Sequence, residues 1–463
     1  MLLLLIYKEV KYHLLSSRFV IVLFFVLVVI IASTIIFCDK YQTELERYAS
    51  FQKSYKTALE SGRRGLNILF KQNFQMVKDT KLTSFLASST ESRIPGHATI
   101  TPLNQNMTVF GGMGLRQVRT NYVLDKVSDM DLVFIVGIIM SFLAIALSYD
   151  SISRDREAGT LKQQLSNPIP RSKILLGKYV ALLILLLIPL LLGFILCTLI
   201  IQILLGQNII LVIPIEISLS CILAIIYLSI FIWLGLWISS YVSKSTTSLA
   251  LLLLIWVSVV VLFPYIGGMI TLKYHPITSR QQFGEQIIST SNELDKFLQG
   301  KETEKDWEPT QKRIDELENI SEKLSIHRFT ELMGQATTAQ SFNFYSPYSA
   351  FREAVENIAS TGLRYHSKFY EAVQQYRGDL VKFIREQDRL DPLSKHRICS
   401  DENLVSISNK PVAPEITPKF DSQKIQSKME GLQATIPALA YLIFLNILVF
   451  FLALISFSKK DVR

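Results

Sequence analysis

The side chains best suited to chemistry in this chain lie in a polar block at residues 150–178, between two apolar runs. Both charge signs occur close together near its start, at Asp150, Arg154, Asp155, Arg156 and Glu157. This pattern favours ion pairs and hydrogen bonds with another polypeptide rather than bond-making chemistry. We interpret the block as a docking element for a cytoplasmic partner. An ordinary basic cytoplasmic loop is the alternative.

A short helix and a turn are predicted within this block. Gly159 permits a close backbone approach, and Thr160 and Leu161 resume helical sequence. The segment Asn167-Pro168-Ile169-Pro170 ends the helix, because proline cannot continue a helix and restricts the residue before it. Basic side chains then anchor the next apolar run, at Arg171, Lys173 and Lys178.

No motif for an active site is present in the sequence. It contains no Walker A sequence, no HExxH, no nucleophile elbow and no paired-cysteine motif. Within the apolar runs, Glu216 is the acidic candidate for ion coupling, and we interpret it as a carboxylate reaching the outer interface. The chain is therefore predicted to be non-catalytic and to hold no cofactor or metal of its own.

The composition requires both membrane-spanning and water-exposed parts. Apolar residues make up 49% of the 463 residues, the mean hydropathy is +0.31, and charged residues account for 19%. These values exclude a purely soluble protein and a disordered one. The formal charge of +9 is explained by basic residues at the cytoplasmic ends of spans, so no nucleic-acid partner is expected.

Several apolar runs are long enough to cross about 30 Å of hydrocarbon. They are Phe19 to Phe37, Leu132 to Leu147, Tyr179 to Leu205, Val212 to Ser239, Thr247 to Ile270 and Ile436 to Phe457. Basic residues precede the first run, fill residues 150–178 and end the chain, whereas the connection Gly206 to Leu211 carries no charge. Both termini are therefore expected in the cytoplasm. Residues 1–18 suit either an interfacial helix or a simple anchor.

This orientation places two large segments, 38–129 and 271–435, outside the membrane. Helical stripes run through both, at Tyr41, Leu45, Tyr48, Tyr55 and Leu59, at Ile314, Leu317, Ile320 and Leu324, and at Phe369, Val373, Tyr376, Leu380 and Phe383. We expect these stripes to form the core of one mostly helical extracytoplasmic domain. Cys38 and Cys399 fall on the same side, where an oxidising compartment would allow a disulfide.

An ordered set of residues runs through the polar block: Glu157-Ala158-Gly159-Thr160-Leu161, Leu165-Ser166-Asn167-Pro168, Arg171, Ile174-Leu175 and Gly177-Lys178. This set resembles the cytoplasmic signature of ABC-2-type permeases. The resemblance implies an N-terminal elbow helix, six spans, a dimeric permease and a coupling helix seated on a separate ATPase that binds ATP and magnesium. The ATPase-coupling residues implied by position are Arg154, Arg156, Glu157, Gly159, Thr160, Leu161 and Leu165.

The predicted fold is an all-α membrane protein in the bacterial inner (cytoplasmic) membrane. Six transmembrane helices accompany an N-terminal interfacial elbow helix and a mostly helical extracytoplasmic domain. The predicted segments are the elbow helix (1–18), the first span (19–37), an external segment (38–129), the second span (130–149), the coupling helix and turn (150–178), the third to fifth spans (179–270), the large external domain (271–435), the sixth span (436–457) and a cytoplasmic tail (458–463).

The large external segments depart from the commonest ABC-2 permeases. Residues Ser346-Pro347, Gly362, His366, Phe369 and Tyr376-Arg377 resemble a subgroup with a large extracytoplasmic insert. The leading hypothesis is the transmembrane subunit of an ATP-driven exporter. Its expected partners are an ABC ATPase, a second permease subunit (the same chain or a similar paralogue) and membrane lipid, with a periplasmic partner as a further candidate. The alternative is a sensor or mechanotransmission module in which no cargo crosses the bilayer.

Overall fold

The computed structural model of the protein describes residues 2–88, 96–102, 130–166, 170–274, 276–299, 308–397, 406–422 and 425–459. These residues are mostly helical, and six of their helices are long and apolar enough to cross a membrane. The prediction of an all-α membrane fold is confirmed. Cys38 is buried, whereas its proposed disulfide partner Cys399 lies outside the described residues, as do Asn167 and Pro168 of the predicted turn.

The membrane-associated helices follow one another along the chain. They are the elbow helix, Leu2–Leu14; span 1, Ser17–Glu60; span 2, built of Leu132–Phe134, Ile135–Met140 and Ser141–Ser148; the first and second coupling helices, Ser153–Glu157 and Thr160–Ser166; span 3, Arg171–Leu205; a short helix, Ile209–Val212; span 4, Pro214–Tyr241; span 5, built of Ser245–Trp256, Val257–Leu262 and Phe263–Tyr274; and span 6, Lys428–Lys459.

The external elements are also mainly helical. Their helices are Leu66–Phe70, Arg280–Leu298, Glu308–Asn343, Pro347–Ala359 and Leu363–Arg389, with 3-10 turns at Ser61–Arg64 and Leu82–Phe85. Strand Phe74–Val77 pairs antiparallel with strand His97–Ile100, with Phe74 opposite Ile100. The alternating burial of these strands places one face of the small sheet in the external core.

Span 1 continues well past the end of its apolar run. Its helix begins at Ser17, where the hydroxyl of Ser16 accepts a hydrogen bond from the amide of Phe19 at 3.3 Å, a favourable N-cap. The same helix runs without interruption to Glu60, so the predicted stripe that includes Tyr55 lies on one rod with the membrane span. The hydroxyl of Tyr55 donates to that of Tyr376 at 3.1 Å inside the external core.

The helical stripes of the second external segment do not all enter one core. Phe369, Val373 and Tyr376 join the cluster around Tyr55. Ile314 and Leu317 instead pack against the neighbouring helix Arg280–Leu298 in a separate small cluster that contains Leu294 and Leu298. Ile320 is 45% exposed, so the prediction that it belongs to the core is wrong. The expected single core is thus divided between a compact part and a helical hairpin.

Helix Pro347–Ala359, which we name the wedge helix, belongs to the external segment by sequence but packs into the membrane core. Its apolar residues share one hydrophobic cluster with the spans, and it contacts spans 4 and 6 along its length. The ring of Phe351 stacks on Tyr227 of span 4 with 4.6 Å between ring centroids. The external segment and the spans therefore share a continuous hydrophobic core through this helix.

Two π-helical segments face the wedge helix from spans 2 and 5. They are Ile135–Met140 and Val257–Leu262. The hydroxyl of Ser346, at the start of the wedge helix, donates to the carbonyl of Val259 at 2.7 Å. On the other side, Gly137 leaves the space that the ring of Tyr348 occupies, since a side chain there would overlap the ring. Both π segments are thus fixed against the wedge helix.

Candidate coupling site

Two short helices make up the described part of the predicted coupling helix and turn at residues 150–178. The first ends at Glu157 and the second begins at Thr160. Gly159 lies between them with φ +73°, a left-handed conformation that glycine adopts without steric cost. A side chain at Gly159 would meet no atom of this chain within 4 Å, and the close approach of a partner's backbone stays a prediction. Glycine is needed here for the bend between the helices.

Arg156 turns back onto the end of span 4. Its guanidinium donates to the carbonyl of Val242 at 2.8 Å and to the carbonyl of Ser240 at 3.0 Å. These carbonyls lie at or just past the C-terminus of the span 4 helix, where intrahelical donors run out. A cation at this end also complements the helix dipole. Arg156 therefore caps span 4.

Glu157 occupies the matching position at the start of span 5. Its carboxylate accepts hydrogen bonds from the amide and from the hydroxyl of Ser245, each at 2.9 Å. Ser245 is the first residue of the span 5 helix, where unpaired amides and the positive end of the dipole favour an anion. Two adjacent residues of opposite charge thus hold the connection between spans 4 and 5 by its two helix ends.

A buried lysine joins the coupling segment to the elbow helix. Lys178 is 1% exposed, and its Nζ donates to Asp155 at 2.6 Å, to Glu9 at 2.8 Å and to the carbonyl of Ser151 at 2.8 Å. Asp155 comes from the first coupling helix, Glu9 from the elbow helix and Lys178 from span 3. We name these three charged residues the lysine cluster. It is the deepest ionic contact of the coupling site.

The elbow helix packs closely on span 3 next to this cluster. A side chain at Gly177 would overlap the side chain of Leu5, so glycine allows the two helices to approach. The guanidinium of Arg154 lies 4.3 Å from the ring centroid of Tyr12, a cation–π contact, and 3.6 Å from Asp150. Burial lowers the pKa of His13 on the same helix, which favours its neutral ring.

The other residues of the sequence signature differ in burial and in the contacts that they make. Leu161 is 1% exposed and Leu165 packs partly buried against the membrane core. The hydroxyl of Thr160 donates to the carbonyl of Asp155 at 3.2 Å and so ties the second coupling helix to the first. Arg171 donates to the carbonyl of Ser458 at 2.7 Å near the end of span 6. This signature arginine therefore caps a third helix.

A family model described as ABC-2 family transporter protein matches residues 3–462. The chain belongs to the ABC-2 transporter family. A search of the curated proteins finds no match to it. Family membership makes the chain the permease component of an ABC transporter, a non-catalytic, multi-pass membrane subunit, and implies an ABC ATPase as its general partner. The subgroup with a large insert stays a prediction.

Most of the charged side chains at the start of the permease's polar block are engaged within the chain, and docking to a partner stays a prediction. Arg156, Glu157 and Asp155 each bind other parts of the same chain, as described above. Glu157 is nevertheless exposed, and the other exposed side chains of this stretch are those of Ala158, Lys162, Gln163 and Ser166. The surface open to a partner is therefore less charged than the sequence indicates.

Several residues of the permease's coupling site were missed at the level of sequence. Glu9 and Ser245 were not singled out, and Asp155 and Lys178 were named only as a docking charge and a basic anchor, although all four bind at the site. Lys178 carried a signal, because a lysine at the start of an apolar run needs a partner when it is buried. Among the described residues, no group of three His, Cys, Asp or Glu side chains is arranged to hold a metal ion.

Proposed function

We propose that the permease is the transmembrane subunit of an ATP-driven exporter and that a separate ATPase, carrying ATP and magnesium, moves its coupling segment. The observation that carries this proposal is the set of attachments of the first coupling helix. Arg156 and Glu157 bind spans 4 and 5, and Asp155 binds span 3 and the elbow helix through the lysine cluster. A push on this helix acts on several membrane helices at once.

The docking surface of the ATPase is proposed on the solvent side of the two coupling helices. Lys162 and Gln163 are exposed on the second helix, close to the bend at Gly159. ATP binding would draw two ATPase subunits together and displace the coupling helices of two permease copies, identical or paralogous. The packed spans would then move as stiff bodies between inward-facing and outward-facing states. Basic residues near the cytoplasmic ends support an inner-membrane orientation with both termini inside.

The charged residues of the spans agree with a permease that takes its energy from a separate ATPase. Glu216 is 6% exposed, and its carboxylate binds Lys428 at 2.7 Å. Lys428 begins the span 6 helix, so this acid pairs with a neighbouring helix start. An acid held in this way is poorly suited to act as a proton relay. The geometry thus favours coupling to ATP over coupling to an ion gradient.

The proposal is tested by purifying the permease gently from its native membrane and identifying the proteins that accompany it. We expect a stoichiometric ABC ATPase. Lys162→Glu should release the ATPase, while Arg156→Gln should keep it bound and change its hydrolysis rate, because Arg156 lies behind the docking surface. Lys323→Glu, a charge reversal at an exposed external lysine, is the matched control. Purification of wild-type permease without any nucleotide-binding partner would refute the proposal.

A second candidate function, mechanotransmission without cargo, is favoured by the wedge helix. Movement of spans 2, 4, 5 or 6 would be passed to the external domain because all four contact this helix. Amide hydrogen exchange of the ATPase complex with and without a non-hydrolysable ATP analogue tests the idea. Changed protection of the hairpin Arg280–Leu298 and Glu308–Asn343, together with no solute movement in sealed vesicles, would support it. Unchanged protection of the external helices would exclude it.

A further inference from the structure

An amphiphilic cavity opens where the external domain meets the start of span 6. Its volume is about 530 Å³, within the range of small-molecule sites. The end of helix Glu308–Asn343, the wedge helix, the start of helix Leu363–Arg389 and the start of span 6 all contribute to its walls. Because four different helices line the cavity, it is formed by the tertiary structure and not by a single loop.

The polar side of the cavity carries one acid and one base. Glu353 on the wedge helix is partly buried, and burial raises the pKa of its carboxyl, whereas the neighbouring Gln340 lowers it. Arg364 lines the cavity and is exposed. The nearby acid Glu430 is bound to Lys368 at 2.6 Å, and the charge of Arg364 also helps to lower the pKa of this carboxyl. Within the described part of the chain, Arg364 itself makes no direct ion pair or hydrogen bond. Arg364 is therefore open to an anionic group, and Glu353, which is bonded to the neutral Gln340, has further acceptor positions for a cationic one.

The apolar side of the cavity is formed by aromatic residues beside span 6. Phe344 lies 5.3 Å from the ring of Tyr441 on span 6, and the hydroxyl of Tyr441 donates to the carbonyl of Tyr345 at 2.6 Å. Tyr345 is 66% exposed, and Ile436 in the first part of the span 6 helix is 60% exposed. Aromatic side chains at the end of a span are typical of the lipid headgroup level. The cavity thus joins a polar compartment to the hydrocarbon boundary.

We infer that this cavity binds an amphiphile with a zwitterionic head group, of the phosphatidylethanolamine type. Its ammonium group meets Glu353 and its phosphate meets Arg364, while its apolar part lies along Phe344 and Tyr345. Charge-assisted bonds of opposite sign at one end and aromatic rings at the other discriminate against an anionic head group without an ammonium. This site lies on the wedge helix, away from the coupling helices.

The test uses the full-length permease in lipid nanodiscs and native mass spectrometry of the lipids retained after extraction. We expect phosphatidylethanolamine to be retained over phosphatidylglycerol. The double variant Glu353→Gln and Arg364→Gln should weaken binding of phosphatidylethanolamine by about a hundredfold, since each of the two lost charge-assisted bonds is worth about one decade of affinity. The matched control is Glu386→Gln with Lys382→Gln, which removes the same charges from exposed positions on helix Leu363–Arg389.

Equal retention of both lipids, or retention unaffected by the cavity variant, would overturn the inference. Arg364 is exposed, so the single variant Arg364→Gln should fold and gives an independent reading if the double variant does not. Competition with water-soluble glycerophosphoethanolamine distinguishes the sources of the ligand. Displacement by this compound identifies a free zwitterion as sufficient, and lack of displacement identifies the intact lipid. Neither result depends on whether an ATPase is found.

Discussion

Replacing Lys178 by methionine should strongly destabilise the permease. The Nζ atom is the shared partner of Glu9 and Asp155, whose side chains are 10% and 12% exposed. Methionine fills much of the same volume but leaves two carboxylates facing each other away from water. Loss of one partner from a buried ion pair costs about 3–5 kcal/mol of unfolding free energy, and we expect a loss in that range.

A triple variant separates the stability of the cluster from its role in coupling. Adding Glu9→Gln and Asp155→Asn to Lys178→Met removes the unpaired charges, so we expect at least about 2 kcal/mol of the loss to return. Because the link between the coupling helix and the elbow helix stays broken, stimulation of the partner ATPase should remain defective. Stability and coupling thus respond differently to the same substitutions.

The assay is denaturant unfolding in mixed micelles, followed by tryptophan fluorescence, with ATP hydrolysis measured on the same preparations. Lys173→Met, at an exposed lysine on span 3, is the control and should unfold like the wild type. A loss below about 1 kcal/mol for Lys178→Met would refute the buried-pair reasoning, because exposed ion pairs contribute no more than that. A triple variant less stable than the single variant would refute it as well.

Further predictions concern glycines and one histidine. Gly159→Val should lower the free energy of unfolding by about 1–2 kcal/mol because φ there is +73°. Gly284→Ala, in an open helical position, should raise the free energy of unfolding by about 0.5–1 kcal/mol. Gly177→Leu should displace the elbow helix, read as faster maleimide labelling of an Ile6→Cys probe, which is 9% exposed in the native chain. Burial lowers the pKa of His366 well below 6.5, with Lys78 adding to the shift. The unfolded chain therefore binds more protons as pH falls below 6.5, and stability falls by up to about 1.4 kcal/mol per pH unit. His366→Phe should flatten this acid limb in unfolding measured against pH, and an unchanged limb would contradict the assignment.

Much of the membrane fold could be predicted because hydrocarbon imposes a simple rule on sequence. Apolar length identifies each span, and the signature residues lie where span connections were expected. The wedge helix could not be found in this way. Helix Pro347–Ala359 is too short to cross a bilayer and carries Arg352, Glu353 and Glu356, so it has the composition of a water-exposed amphipathic helix. Only its packing places it in the membrane core.

The candidate site was located from the sequence but its contacts were not. From sequence, Arg156 and Glu157 look like two solvent-exposed charges. In the structure they bind two helix ends, which no residue pattern in the sequence reveals. The bond between Lys178 and Glu9 joins residues 169 positions apart, beyond the reach of any periodicity. Sequence therefore predicts the position of the candidate site better than the contacts of its side chains.

The uninterrupted helix of span 1 can amplify small tilts, because it is a long rod that joins the cytoplasmic side to the external core. Its 44 residues extend over about 66 Å, more than twice the thickness of the hydrocarbon layer. One end lies beside the elbow helix, and the other carries Tyr55 and Leu59 into the external core. A tilt of about 5° at the cytoplasmic end of a rod this long carries the far end about 6 Å. Small angular movements near the coupling site thus become side-chain-sized displacements outside the membrane.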